Sequence, residues 1–297
     1  MKIRQITCTA PAKLNLALDV VGTLPGGYHD LDMLMQTVTL YETVIMIEDP
    51  EIRLELPDSD IPPDENNTAY KAARLFFETT GVRGGVRMAV LKGVPAQAGM
   101  AGGSADAAAV LVGLDRLYNT QLGMAQLLRL GARVGADVPF SLMGGTCRVG
   151  GIGDRLQALE PLPDCRFVAV MPEYGISTPA CFAEYDRVGS PDHPDCAALA
   201  AAVNRGDLNG LAAGMSNALE QAAAGADTGF IRSILNENGA LASLMTGSGA
   251  AVFGLFDDPK KAAAAHKALR QKYRKVYLMR PDPKGARVSE DAMLDAD

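Results

Sequence analysis

The sequence predicts an α+β protein in two domains, residues 1–160 and 161–297. Three observations predict it. Segments with the two-residue period of half-buried strands crowd the N-terminal part. A glycine-rich stretch around residue 100 links a strand to an apolar-patterned helix, so strands and helices are packed together in this part of the chain. After Pro161-Leu162-Pro163 the texture changes, and the segments read strand, helices, strand, strand, helix, strand.

Residues 3–10 and 14–21 read as strands; in the second, Leu14, Leu16, Leu18 and Val20 alternate with Asn15, Ala17 and Asp19. Pro25-Gly26-Gly27 is a turn before Tyr28 and His29, and 35–40, 42–48 and 53–56 read as further strands. A polar, proline-bearing connection over 57–67 leads to a helix over 68–79. The strand 86–91 feeds the glycine stretch. Val110, Leu111, Leu114, Leu117 and Tyr118 then recur at helical spacing and mark one apolar face. Asp106 falls in the first turn of that helix, where it complements the dipole. A helix over 121–134 ends at Gly135, Pro139 opens a short helical segment, and 143–154 is turn-rich strand. In the second half, 167–171 reads as a buried strand and 196–203 and 208–223 as alanine-rich helices. A helix over 228–238 stops at Gly239. Strands over 242–246 and 250–256 flank the turn Gly247-Ser248-Gly249, and a helix over 260–270 and a strand over 276–279 follow. Residues 286–297, polar and charged, are expected to fray.

Composition excludes several classes. Hydrophobic residues make up 48% of the chain and charged residues 21%, the balance of a globular protein. No apolar run reaches the ~18 residues that span a bilayer, so no membrane partner is expected. Met1 to Thr7 is mixed and polar, without the pattern of a signal or transit peptide. Five scattered cysteines point to a reducing compartment, the cytoplasm, and with three histidines they show no metal-ligand spacing. A formal charge of −7 speaks against nucleic acid as a partner. An anionic substrate must then be held by backbone amides and a few cations.

The stretch Pro95-Ala96-Gln97-Ala98-Gly99-Met100-Ala101-Gly102-Gly103-Ser104 carries the strongest signal. With no Cβ at its glycines, several backbone N–H groups can approach one anion. The helix that follows aims the positive end of its dipole at the same place. That suits the phosphates of a nucleotide, although the stretch is neither a Walker loop nor a G-x-G-x-x-G turn. On the residues alone, the plainer alternative is a tight strand-to-helix turn whose glycines merely permit close packing.

Four segments in order resemble the GHMP kinase superfamily: Pro11-Ala12-Lys13-Leu14-Asn15-Leu16; Gly27-Tyr28-His29-Asp30-Leu31; the glycine stretch with Gly135-Ala136-Asp137-Val138-Pro139; and Thr246-Gly247-Ser248-Gly249-Ala250. They span residue 11 to about residue 254. The resemblance is to members that phosphorylate a cytidine-diphosphate-linked methylerythritol. It implies a two-domain GHMP kinase fold. The N-terminal domain is α/β and nucleotide-binding, like the second domain of a ribosomal small-subunit protein; the C-terminal domain is ferredoxin-like. It also implies that ATP and that small molecule are the partners; oligomeric state is not legible. Mevalonate kinase, homoserine kinase and a non-catalytic ligand sensor of the same fold are the alternatives.

On this resemblance Asp137 is the candidate base for phosphoryl transfer, at a helix start that favours its ionised form. By residue type alone it is as well read as a helix N-cap. Lys13 is its candidate partner, since a lysine in an apolar strand must either reach water or meet a charge. Asn15 shares its face and can bond the substrate's diol or a neighbouring backbone group. The resemblance implies that His29 bonds a cytosine while Tyr28 and Phe182 pack on it. A histidine held by the surface and a phenylalanine in the core are the plainer readings. The glycine stretch is expected to carry ATP phosphates, with Asn67 and Lys92 near the adenine and Gly247, Ser248 and Gly249 closing over the substrate. The family's two adjacent serines are here Ser104-Ala105. Ala105 cannot serve a metal, so Mg²⁺ is expected to arrive with ATP and no protein ligand is named.

Overall fold

The structure is a computed structural model and describes residues 2–223, 225 and 227–295. In chain order its elements are β1 (Lys2–Thr23), β2 (His29–Asp49), β3 (Arg53–Glu55), α1 (Thr68–Thr80), β4 (Gly85–Leu91), α2 (Gly102–Tyr118), α3 (Met124–Val134), α4 (Val138–Met143), β5 (Thr146–Gly151) and β6 (Arg155–Ala158), then β7 (Arg166–Met171), α5 (Thr178–Val188), α6 (Cys196–Asn204), α7 (Leu208–Gly214), α8 (Thr228–Glu237), β8 (Ala242–Met245), β9 (Val252–Phe256), α9 (Pro259–Arg270), β10 (Lys275–Met279) and β11 (Arg287–Asp295).

A long antiparallel ribbon of β1 and β2 is the spine of a seven-stranded sheet, ordered β11-β1-β2-β4-β3. Beyond the point where β4 leaves it, β2 pairs with β5, which pairs with β6. The second sheet has the order β10-β7-β9-β8 and is antiparallel throughout. With α8 and α9 as its helices, this is the ferredoxin-like β-α-β-β-α-β arrangement.

Alternation along the strands decides what each face buries. Ile6, Cys8, Val44, Met46, Met88 and Val90 pack under α1, α2 and α3. Leu14, Leu16 and Leu34 of the first sheet meet Phe167, Phe253 and Leu255 of the second in a shared core. Val168, Val170 and Val252 face the other way, onto α8 and α9. The two sheets are thereby fixed against each other, and the cleft between them is where side chains from both can meet.

Several boundaries differ from the sequence reading, each for a local reason. The strands expected over 3–10 and 14–21 are one strand, because Pro11 sits at a register shift instead of ending the pairing. Likewise 35–40 and 42–48 belong to a single strand, β2. The helix expected from residue 121 starts at Met124, since Asn119 and Gln121 adopt left-handed backbone. The helix expected over 208–223 stops at Gly214; Leu18 N–H then donates to Ser216 and Ala218 N–H to Leu18, which ties the chain to β1. Residues 178–188, unassigned by the sequence reading, form α5, with Pro179 in its first turn.

The expected fraying of 286–297 holds for none of the residues described there. β11 pairs with β1 from Lys2 to Thr9, Asp291 bonds both Arg4 and Arg116, and Val288 packs on the first core. It is an edge strand rich in charged residues, of which Asp291 is paired with arginines, so composition alone hides the strand. This strand lies after residue 160 in sequence and in the first sheet in space.

Candidate active site

Lys13 and Asn15 occupy alternate positions of β1, on the face opposite Leu14 and Leu16. The Lys13 ammonium is 4% exposed as a residue and donates to Asn15 Oδ1. The Asn15 amide N–H donates to Thr246 Oγ1 at 3.0 Å, so the loop before β9 is bonded directly to this strand. Gly247, at φ +55°, lies against the same two side chains. A Cβ there would stand 3.1 Å from Lys13 Nζ and 3.3 Å from Asn15 Oδ1.

Asp137 is the residue before α4, yet its side chain makes no capping bond. The carboxylate instead turns toward β1, with Oδ2 3.9 Å from Lys13 Nζ. Burial pulls the Lys13 pKa below its ordinary value, and the Asp137 charge opposes that shift.

The glycine stretch wraps the same space. Met100 C=O accepts from Lys13 N–H at 3.1 Å, while the carbonyls of Gln97 and Ala98 accept from Ala250 and Ala251. Gly99 is required: a Cβ would fall 2.1 Å from the Thr246 carbonyl oxygen, and its φ is +70°. Helix α2 begins at Gly102 after Ala101, which is left-handed and gives no side-chain cap. The first helical bond is Ala105 N–H to Ala101 C=O, so the amides of Gly102, Gly103 and Ser104 precede the helix ladder. These donors and the dipole suit an anion.

All of Pro95 to Ser104 line a cavity of about 1210 Å³, together with Lys13, Asn15, Asp137 and Asn67. Tyr28, His29, Phe182, Gly247 and Ser248 line it as well. Two sequence candidates stand apart. Gly249 does not line the cavity; its Cα faces Met245 and Ile176 behind the loop. Lys92 lines it, but its ammonium is held 2.6 Å from both Glu42 Oε1 and Asp106 Oδ2. Asp106 lies beyond the first turn of α2, because the helix starts at Gly102, and it serves a buried ion cluster instead of the helix dipole. Asn67 caps α1 by accepting from Ala69 N–H.

Two of the three rings expected around a base, those of His29 and Phe182, contact each other here. His29 stacks on Phe182 with centroids 4.6 Å apart, while Tyr28 is 64% exposed. Gln97 is left-handed and rests its side chain on Gly175.

Comparison with known proteins gives the family. The model of the GHMP kinases N terminal domain matches residues 67–145, and that of the GHMP kinases C terminal matches 199–275. A 4-diphosphocytidyl-2-C-methyl-D-erythritol kinase of Clostridium botulinum (strain Eklund 17B / Type B) is 38% identical over 274 residues, covering 91% of this chain and 98% of that one. The chain belongs to the 4-diphosphocytidyl-2-C-methyl-D-erythritol kinase family. A crystal structure of 4-(cytidine 5'-diphospho)-2C-methyl-D-erythritol kinase superposes with a TM-score of 0.77 at 32% identity, covering 93% of this chain and all of that one (100%). A homoserine kinase from Cytophaga hutchinsonii shares the fold at TM-score 0.76 and 18% identity, covering 96% and 97% of the two chains.

Sequence reasoning missed several residues that line or brace this candidate site of the 4-diphosphocytidyl-2-C-methyl-D-erythritol kinase family member. Thr178 Oγ1 lies 2.8 Å from Ser248 Oγ, and Asp186 Oδ1 lies 2.7 Å from His29 Nε2. Both are on α5, and Ser177-Thr178-Pro179 is the helix-start signal that marks it. Asn217 is buried and donates to the carbonyls of Met245 (2.9 Å) and Gly247 (2.8 Å), which holds the Gly247-Ser248 turn in place. Arg133 also lines the cavity. Nothing in the local sequence distinguishes Asn217 or Arg133 from their neighbours.

Proposed function

We propose that this chain transfers the γ-phosphoryl group of ATP to the 2-hydroxyl of 4-diphosphocytidyl-2-C-methyl-D-erythritol, a step of non-mevalonate isoprenoid precursor biosynthesis. One observation carries the reading: Lys13 and Asp137 meet across a cavity whose wall is a helix-fronted glycine loop. In this reading the amides of Gly102, Gly103 and Ser104 bind triphosphate oxygens, and the ATP ribose and base lie toward Asn67. His29, Tyr28 and Phe182 take the cytosine. Asn15 bonds the diol, and Ser248 and Gly247 cover the substrate phosphates.

Phosphoryl transfer asks for alignment, charge neutralisation and a proton acceptor. Asp137 accepts the proton of the C2 hydroxyl as that oxygen attacks the γ-phosphorus in line. Lys13 orients the carboxylate and offsets charge on the transferring group. Lys92 is committed to Glu42 and Asp106 and acts on the loop from beneath.

The amide-lined loop fits a nucleotide's phosphates. Among the described residues no group of three or more His, Cys, Asp or Glu side chains stands ready to cage a metal, and Ala105 offers no oxygen. Mg²⁺ is accordingly proposed as an ion that ATP brings in, holding phosphate oxygens and water. Bound there, it supplies charge neutralisation along the triphosphate.

We also keep residue 160 as the domain boundary in chain order, with β11 as a return strand. The cytoplasm is the proposed location, supported by five free, buried cysteines. No helix of the described residues is long and apolar enough to cross a membrane. The acidic balance supports small-molecule partners over nucleic acid.

The test is to offer ATP with the cytidyl compound, mevalonate and homoserine in turn and to follow ADP release. Turnover of the cytidyl compound alone is expected. Turnover of mevalonate or homoserine in its place, or ligand binding without any turnover, overturns the proposal.

A further inference from the structure

His29 opens β2, and α5 grips it from three sides. Phe182 stacks on its face at 4.6 Å with an interplanar angle of 22°. Tyr185 meets it edge-on, with centroids 6.1 Å apart. Asp186 Oδ1 stands 2.7 Å from Nε2. Positions 182, 185 and 186 have helical spacing, so one face of α5 presents all three contacts. The grip leaves the imidazole only 14% exposed, although Asp186 itself is 62% exposed at the side chain. Among the described residues Nδ1 has no hydrogen-bond partner, and both His29 and Asp186 line the cavity.

We propose that Asp186 is a positioning residue that sets which nitrogen of His29 reads the substrate's pyrimidine. This rests on the cytidyl-substrate reading above. An ionised carboxylate only accepts, so the bond to Asp186 puts a proton on Nε2. In the neutral ring Nδ1 is then an acceptor. Cytosine offers a complementary donor in its exocyclic amino group, whereas uracil carries a carbonyl oxygen at the same position and would meet a lone pair with a lone pair. The choice of base thus depends on a carboxylate that need not touch it.

The experiment uses the full chain and two probes, CDP and UDP, titrated by calorimetry so that turnover is not needed. The wild type is expected to prefer CDP. Asp186→Ala should cut that preference about tenfold, as expected for one hydrogen bond, chiefly by weakening CDP. Asp186→Asn should keep most of it, because the amide oxygen still accepts from Nε2–H. ¹⁵N spectra of histidine-labelled protein should show His29 protonated at Nε2 in the wild type and a tautomer mixture in Asp186→Ala. In turnover, KM for the cytidyl substrate should rise in Asp186→Ala while KM for ATP and kcat stay within about twofold, the pattern of lost ground-state binding. Equal CDP preference in wild type and Asp186→Ala, or an Nδ1-protonated wild-type ring, overturns the inference alone. Failure of the wild type to bind CDP overturns the cytidyl reading and this inference with it.

Discussion

Lys13 Nζ lies 3.9 Å from Asp137 Oδ2, and the lysine is almost wholly buried while the carboxylate opens on the cavity. A buried ammonium needs a counter-charge, and Asp137 is the carboxylate that the fold brings to it. The arrangement makes Asp137 more than a helix cap, since its side chain bonds no backbone amide of α4. Asp137→Asn keeps the shape and removes the proposed base. Turnover should fall at least ~100-fold while binding of the cytidyl substrate, measured by calorimetry, persists. An unchanged rate removes Asp137 from the role.

The same pair makes a prediction about Lys13. Burial lowers its pKa from the ordinary 10.5, so the ammonium loses its proton earlier as pH rises. The rate should therefore fall on an alkaline limb below that value. Lys13→Met should lower kcat by roughly 100-fold, the scale of losing one aimed electrostatic group. Added to Asp137→Asn, it should cost far less than that again, because the two act as a unit. Fully multiplicative losses in the double variant would show them to be independent.

Much of this site was legible in the sequence because its parts announce themselves locally. Gly99, Gly102 and Gly103 stand before an apolar helical run, Lys13 interrupts an apolar strand, and Gly135-Ala136-Asp137 precedes a proline. What stayed hidden depends on tertiary pairing. The Lys92 ammonium looks free in the string and is in fact shared between Glu42, far upstream, and Asp106. Asn217 reads as one more helical residue until Leu18 draws its segment onto β1. The charged tail becomes a strand only because β1 leaves an edge open to it. Propensity and period see each segment alone, and long-range pairing overrules them at these places.

The glycines of the loop are not equivalent. A Cβ at Gly99 would lie 2.1 Å from a backbone oxygen and would hold a positive φ, so neither neighbour nor backbone can yield cheaply. Gly99→Ala should cost at least about 2 kcal/mol in urea unfolding, and the variant should lose ATP binding as the Thr246 turn shifts. At Gly103 the nearest atom is the Thr68 hydroxyl at 3.1 Å, a side-chain group that donates to the Gly103 carbonyl at 2.6 Å and need give by only a few tenths of an ångström, and the backbone is helical. Gly103→Ala should stay within about 1 kcal/mol of the wild type. Equal stability losses would mean that the close approach at Gly99 is not what the fold requires.

Beneath the loop, Glu42 is fully buried, and burial first, then the charge of Asp106, push its pKa up to about 7. In the unfolded chain the same carboxyl titrates near 4.5. Between these values the native state holds a proton that the unfolded state has released. The stabilisation linked to this proton is complete below the unfolded value and is lost as pH rises through the folded one. Glu42 also accepts from Gly93 N–H at 2.8 Å and approaches Gly102, so its charge state bears on the loop itself. Urea unfolding at pH 5 and pH 8 should show the wild type losing stability over that interval. Glu42→Gln, which keeps the acceptor and cannot titrate, should lose less, by on the order of 2 kcal/mol. Identical pH slopes in the two proteins would mean that Glu42 enters the fold already ionised, and that Lys92 alone balances both carboxylates.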